Sequence, residues 1–176
     1  MLSGGIDSAT ALALACQGDG HASALFIDFG QAAADAEAAA AVAVAAHYGV
    51  PLRALECKGL HFSAGEIRGR NAMLAHLALI AHPGESGLVI IGVHAGTKYR
   101  DCSPVFVTVV QQSYDFHTDG RLIISAPFVG HEKSGIFDLA RQIGVPLALT
   151  YSCEDGNVAC GRCLSCRDRE ALLARA

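Results

Sequence analysis

Leu2-Ser3-Gly4-Gly5-Ile6-Asp7-Ser8 is the stretch on which the fold of this chain turns, with a helical pattern following it over Ala9–Gln17. Paired glycines let backbone amides come close to an anion. A helix that starts there aims its free N–H groups and the positive end of its dipole at the same point. Ser8 and the first turn add donors, and Asp7 is placed to orient a magnesium ion on bound phosphates. A glycine-rich turn that only caps a helix is the plain alternative. The full Ser-Gly-Gly-x-Asp-Ser string, opening a helix in an α/β chain, favours phosphate binding over that alternative. It is not a Walker loop, which needs Gly-Lys-Ser/Thr. The nearest decoy, residues 92–99 (Gly-Val-His-Ala-Gly-Thr-Lys-Tyr), has the wrong spacing and order.

Outward from this loop, short apolar runs alternate with longer helical patterns. Strands are expected at Ala24–Phe29, Pro51–Glu56, Gly87–Val93 and Arg121–Ala126. Helices are expected at Gln31–Tyr48, Asn71–His82 (stopped by Pro83-Gly84), Cys102–His117 with Pro104 near its start, and Glu132–Ile143. Such alternation implies a parallel sheet covered by helices on both faces, with ligands at the carboxyl ends of the strands. A nucleotide domain of this kind normally enters its first phosphate loop from a central strand. Only Met1 and Leu2 precede the loop here, so that strand is expected to be missing, extremely short, or lost through a misplaced start.

A second signal lies in Cys153-x6-Cys160-x2-Cys163-x2-Cys166. Four thiolates suit a closed tetrahedral zinc site, and four protein ligands leave no open position for a catalytic water. The expected zinc is therefore structural. Gly161 falls where a tight turn needs it, and Arg162, Arg167 and Arg169 are placed to offset the charge. A disulfide or redox pair and an iron–sulfur cluster are the rivals. The other cysteines, Cys16, Cys57 and Cys102, are scattered, and Cys16 reads as core.

Composition narrows the function. The 176 residues are 52% hydrophobic and 17% charged, enough apolar material for a real core and unlike a disordered chain. The expected organisation is a nucleotide-binding domain over 1–150 with a zinc-binding segment, 151–176, packed on it. The alanine-rich stretch 32–46 is interrupted or bounded by Asp35, Glu37 and His47, so no membrane span is expected. With no signal peptide in view, a cytoplasmic location is expected. The net charge of −4 lacks the basic surplus that nucleic-acid binding usually draws on.

Gly69-Arg70-Asn71, at a loop-to-helix junction, could hold a nucleotide or carboxylate. A helix cap beside a solvated arginine fits the same residues. Lys133, opening a helix, is open in the same way between a surface lysine and a phosphate ligand. His76 and His82 lie on different faces of one helix and do not suggest a shared metal.

The Ser3–Ser8 string looks like the pyrophosphate loop of the N-type ATP pyrophosphatases, which attach AMP to a carbonyl or carboxyl oxygen. With it, Asp28-Phe29-Gly30-Gln31, Gly69-Arg70-Asn71, Asp101-Cys102 and the run from Ser152 to Cys166 stand in the order of the 7-cyano-7-deazaguanine synthase (QueC) family, which the chain resembles along nearly its whole length. The resemblance implies an α/β parallel-sheet, adenine nucleotide alpha hydrolase-like (PP-loop) fold with a C-terminal four-cysteine zinc knot. It implies an ATP-dependent ligase that adenylates 7-carboxy-7-deazaguanine and adds ammonia to give an amide and then a nitrile. ATP would be held by Leu2, Ser3, Gly4, Gly5, Ile6, Asp7, Ser8, Asp28, Gly30, Gln31, Gly69, Arg70 and Asn71. Asp7, Ser8, Arg70 and Lys133 would serve catalysis, Asp101 would meet the substrate, and magnesium would accompany the phosphates. A homodimer is the expected assembly.

The chain departs from the family in places. The connection from Cys57 to Gly69 is short, Ala32–Ala34 replace basic residues, Arg68 replaces a proline, and the segment before Asp101 is trimmed to Thr97-Lys98-Tyr99-Arg100. Three further readings stay in play: an adenylating enzyme of an antiphage operon with a protein amine as acceptor, which the trimmed segments favour; a tRNA-modifying pyrophosphatase; and a non-catalytic nucleotide-binding subunit, which the missing first strand keeps in view. The acidic balance opposes the tRNA reading. We therefore expect no tRNA binding in the micromolar range at physiological salt. A gel shift with a steep salt slope would contradict this.

Overall fold

The structure is a computed structural model and describes residues 1–60, 62, 67–82, 84 and 86–174. In chain order its elements are α1 (Ile6–Ala15), β1 (Ala24–Asp28), α2 (Ala34–His47), β2 (Leu52–Glu56), α3 (Arg70–Ala81), β3 (Gly87–Ile90), α4 (Pro104–Thr118), β4 (Leu122–Ser125), α5 (Lys133–Gln142), a single 3-10 turn at Leu147–Leu149, and α6 (Leu164–Leu173). They form two compact units, one of residues 1 and 67–136, the other of residues 2–66 and 137–176. The expected stop at Pro83 and part of the connection between Cys57 and Gly69 lie outside the described residues.

The second unit carries the glycine loop. β1 and β2 run parallel in the register Ala24↔Leu52 to Asp28↔Glu56. Leu2, just ahead of the loop, donates its N–H to the Leu25 carbonyl at 2.8 Å. The core gathers Leu2, Ile6, Leu12, Phe26, Val44, Phe137, Val145 and Leu172 around Ala9, Ala41, Ala45 and Ala140. Ile6 and residues 8–13 are all buried, so α1 is apolar around most of its circumference rather than striped. Alanine at the contact positions removes side-chain bulk and lets helices and strands approach closely. The carboxyl-terminal part of the chain enters this core through Leu172 of α6, a helix that the sequence reading did not mark. Its cue was faint: Leu164 is exposed and charged residues interleave the rest.

In the first unit, β3 and β4 pair in parallel from Gly87↔Leu122 to Ile90↔Ser125. β3 is shorter than the expected Gly87–Val93. Its last ladder bond is Ile91 N–H to Ser125 O at 2.9 Å, and Pro127, two residues past the end of β4, has no N–H to continue the pairing. α4 opens as its sequence dictates, with Pro104 in the first turn and the Ser103 hydroxyl accepting from Phe106 N–H at 3.3 Å. It closes at Asp119 and Gly120, both left-handed. Tyr114 is fully buried and donates its hydroxyl to the Ala75 carbonyl of α3 at 2.6 Å. His76 and Ser113 add a second tie between α3 and α4 at 2.9 Å.

Both strand pairings are parallel, as the alternation requires. Among the described residues they form two ladders of two strands rather than the single sheet expected. Ahead of the glycine loop, Leu2 donates to Leu25 within its own unit and the Met1 amino group donates to the Ile90 carbonyl within the other, at 2.6 Å. No helix among the described residues is long and apolar enough to cross a membrane. Removing the hydroxyl in Tyr114→Phe should cost about 1 kcal/mol, since the buried Ala75 carbonyl loses a donor. A lower urea midpoint at unchanged slope is the expected result.

Candidate functional site

The helix begins earlier than the sequence pattern suggests. Ile6, Asp7 and Ser8 form the first turn of α1, with Gly5 as the residue ahead of it and the first helical bond running from Ala9 N–H to Gly5 O at 3.0 Å. Helix geometry leaves the N–H groups of that first turn without intrahelical partners, and they point the same way as the dipole's positive end. Ser8 braces the loop: its hydroxyl donates to Gly5 O at 3.0 Å and accepts from Ser3 N–H at 3.2 Å and from the Ser3 hydroxyl at 3.1 Å. Its proton is therefore spent inside the loop, and the backbone amides are what the loop presents to a ligand. Asp7 sits half-buried in the same turn.

Gly4 is left-handed, with φ +81°, and lies against α2. A Cβ built there would stand 2.6 Å from the Glu37 carbonyl oxygen and 2.9 Å from the Ala40 methyl. No side chain fits. Its carbonyl accepts from Tyr151 N–H at 2.9 Å, so the segment leading into the cysteine cluster is tied to the glycine loop.

At the carboxyl end of β1, Asp28 to Gln31 form a closed turn. Asp28 Oδ1 accepts from Gly30 N–H at 2.8 Å, and Gln31 Oε1 accepts from Phe29 N–H at 2.8 Å. Gly30 is left-handed, with φ +83°. The Gln31 amide donates to the Glu37 carboxylate at 2.8 Å. The glycine loop and this turn, distant in sequence, thus both bear on the first turns of α2.

The four cysteines Cys153, Cys160, Cys163 and Cys166 come together, their sulfurs all within 4.8 Å of one another. A tetrahedral zinc with Zn–S near 2.3 Å places its ligands about 3.8 Å apart, so this set fits with small adjustment. Backbone N–H groups already point at the sulfurs: Cys160 to Cys153 at 3.4 Å, Cys163 to Cys160 at 3.3 Å, and Cys166 to Cys163 at 3.4 Å. Burial pushes the Cys153 thiol up, but backbone hydrogen bonds outweigh it and bring the thiol down to about 6. Burial and neighbouring sulfurs push Cys166 up to about 12. Four thiols this close do not all ionise unless a cation offsets their charge, which is what a metal ion supplies.

Two of the nearby arginines have other tasks. Arg162 Nε lies 3.8 Å from Asp155. Arg169 is half-buried and donates to Thr150 Oγ1 at 2.7 Å, Leu147 O at 2.8 Å and Ser152 Oγ at 3.4 Å, clamping α6 to the irregular segment whose Tyr151 N–H bonds Gly4. Tyr151 is pushed up to about 12 by burial first and then by Cys153 and the other cluster cysteines.

The remaining sequence candidates lie in the other unit. Gly69 is left-handed and precedes α3. Arg70 Nε donates to Asn71 Oδ1 at 3.4 Å, and Asn71 is buried with its amide directed at Asp101 O (3.4 Å) and Cys102 Sγ (3.7 Å). Arg70, Asn71, Asp101 and Cys102 therefore form one cluster, in which Asn71 acts as a tie between α3 and the loop before α4. Lys133 opens α5, half-buried. The sequence reading passed over His94. It is buried beyond the carboxyl end of β3, its Nδ1 accepting from Gly96 N–H at 3.1 Å. The only sequence signal for it was its place in residues 92–99, set aside as a false Walker match.

A family model described as queuosine biosynthesis protein QueC matches this chain in two overlapping stretches, residues 1–66 and 56–176. The chain belongs to the QueC family. It is 33% identical over 207 residues to a protein of Synechococcus elongatus, covering 100% of this chain and 90% of that one. It is 30% identical over 200 residues to one of Desulfotalea psychrophila, covering 98% and 91%. A third, from Aquifex aeolicus, is 37% identical over 97 residues, covering 51% and 44%. All three are named 7-cyano-7-deazaguanine synthase. The first alignment runs longer than the 176 residues present here, so segments of that QueC relative have no counterpart in this chain. The two stretches of the family match overlap at residues 56–66, from the end of β2 into the connection that leads to Gly69.

In this QueC chain Cys163 serves twice, as a cluster thiol and as the N-cap of α6. Cys163→Ser keeps a capping oxygen while removing a thiolate. The purified variant should hold less than one metal ion per chain, with increased aggregation or proteolysis of the 151–174 segment. Elemental analysis checks this, and iron with visible absorbance would replace zinc by a cluster.

Proposed function

We propose that this chain is an ATP-dependent C–N ligase of the kind its relatives are named for, acting on 7-carboxy-7-deazaguanine. The observation that carries the reading is the glycine loop itself. Gly4 is seated on α2, the first turn of α1 opens its amides at residues 6–8, and the Asp28–Gln31 turn bears on the same helix. The substrate carboxylate oxygen attacks the α-phosphorus of ATP, the bond to the β-phosphate breaks, and pyrophosphate leaves. Ammonia then adds at the acyl carbon, loses a proton, and AMP departs with the bonding electrons to leave the amide. A second ATP adenylates the amide oxygen, and loss of AMP and two protons gives the nitrile.

In this reading the amides of the Gly4–Ser8 loop stabilise charge on the departing phosphates. Asp7 would hold a magnesium ion, whose charge would screen those phosphates, while Ser3 and Ser8 keep the loop in shape. Arg70 and Lys133 are the proposed side-chain cations, and Asp101 is the proposed substrate contact. Zinc bound by Cys153, Cys160, Cys163 and Cys166 is structural. A homodimer is supported by the uncharged outer stripe of α4, where Val105, Val109 and Phe116 are exposed.

A second acceptor, a protein amine, is favoured by the shortened connection and the trimmed Thr97–Arg100 segment, which leave less protein around a small substrate. Pyrophosphate release decides between them. Wild-type protein should release it from ATP with 7-carboxy-7-deazaguanine and ammonia, and Asp7→Ala should lower the rate at least about 100-fold with the fold intact. An active Asp7→Ala protein would remove the loop from the mechanism. Pyrophosphate release that needs a protein amine instead of ammonia would establish the second acceptor.

A further inference from the structure

α2 starts poorly by its own sequence. Its N-cap is Ala33, whose methyl accepts no hydrogen bond, so the first turn has no local side-chain cap. The cap arrives from 121 residues away. Asn157, on the loop between Cys153 and Cys160, accepts from Ala36 N–H through Oδ1 at 3.1 Å and donates through Nδ2 to Asp35 Oδ2 at 2.8 Å. One carboxamide therefore satisfies an orphan N–H and ties down the acidic side chain beside it.

What rests on this turn gives the contact its meaning. Glu37 follows at once: its N–H donates to Ala33 O at 2.9 Å, its carbonyl oxygen is the atom Gly4 approaches most closely, and its carboxylate receives Gln31 at 2.8 Å. The glycine loop and the Asp28–Gln31 turn both lean on the residue that Asn157 helps to fix. The loop carrying Asn157 is in turn held at its two ends by cluster cysteines, Cys153 and Cys160.

We propose that Asn157 is a positioning residue of the nucleotide site, through which the four-cysteine loop holds the first turn of α2 where the glycine loop needs it. This rests on the nucleotide reading above. Metal in the cluster and affinity for ATP are thereby linked through one side chain that touches neither.

The test uses the purified full chain, with metal content, hydrogen exchange and steady-state kinetics measured on each variant. N157A and N157D should speed amide exchange in peptides covering residues 3–8 and 34–40 and raise the KM for ATP about three- to ten-fold. Metal stoichiometry, kcat and exchange over residues 104–118 should match wild type. N157D sets a carboxylate against Asp35, and adding D35N recreates the pair with donor and acceptor exchanged. N157D/D35N should bring both readouts back to within about two-fold of wild type. Unchanged exchange at residues 3–8 in N157A overturns the proposal, as does a soluble, metal-loaded N157D/D35N that fails to recover. If wild-type protein releases no pyrophosphate from ATP, the nucleotide reading fails, and exchange at residues 3–8 still decides the role of Asn157.

Discussion

The close approach of Gly4 to the first turns of α2 is the constraint on which the rest of this site depends. It requires a residue without a side chain, in a left-handed conformation, against the backbone carbonyl of Glu37. Once that contact is made, α1 is set at a fixed place and angle, and its first-turn amides face one point. The Ser3–Ser8 hydrogen bonds close the loop from inside and Tyr151 N–H holds it from behind. None of these contacts is strong alone, since a hydrogen bond of this kind contributes about 1 kcal/mol. Their effect comes from acting on the same short stretch of backbone.

The cysteine cluster completes this arrangement at its other end. Four buried or half-buried thiols, fed by backbone N–H groups, make a poor hydrophobic core and a good cation site. The segment around them has Leu172 as its anchor in the core and the Arg169 hydrogen bonds to residues 147–152 as its polar clamp. A metal ion held there would supply the order that hydrophobic burial does not.

Much of this was legible in the sequence, and the reasons for the rest are physical. The Ser-Gly-Gly-x-Asp-Ser string and the spacing of Cys153 to Cys166 are local patterns whose chemistry is carried by adjacent residues, and each forms a compact local structure. Strand and helix types also followed from local patterns, because β-branched runs and alanine-rich stretches differ in period. Ends were harder to place. β3 stops short because its partner runs into Pro127, a fact about β4 rather than about β3. α6 was missed because the cluster cysteines and charged residues dilute its apolar face. The Ser8 hydroxyl, expected to face a ligand, turns inward to Gly5, a choice made by loop geometry. Asn157 capping α2 had no sequence signal at all, since the pairing spans 121 residues.

That last separation has a consequence for how the protein is made. On a ribosome adding about 5–20 residues per second, the glycine loop emerges roughly 7–30 s before the Tyr151–Asn157 segment that braces it. Over that interval residues 3–8 lack both their backbone tie and the remote cap on the helix beneath them, while alanine-rich α2 is already free to form. Nascent chains are thus expected to hold α1, β1, α2 and β2 as a loosely joined intermediate, and the loop takes its final shape only once the Tyr151–Asn157 segment has been made.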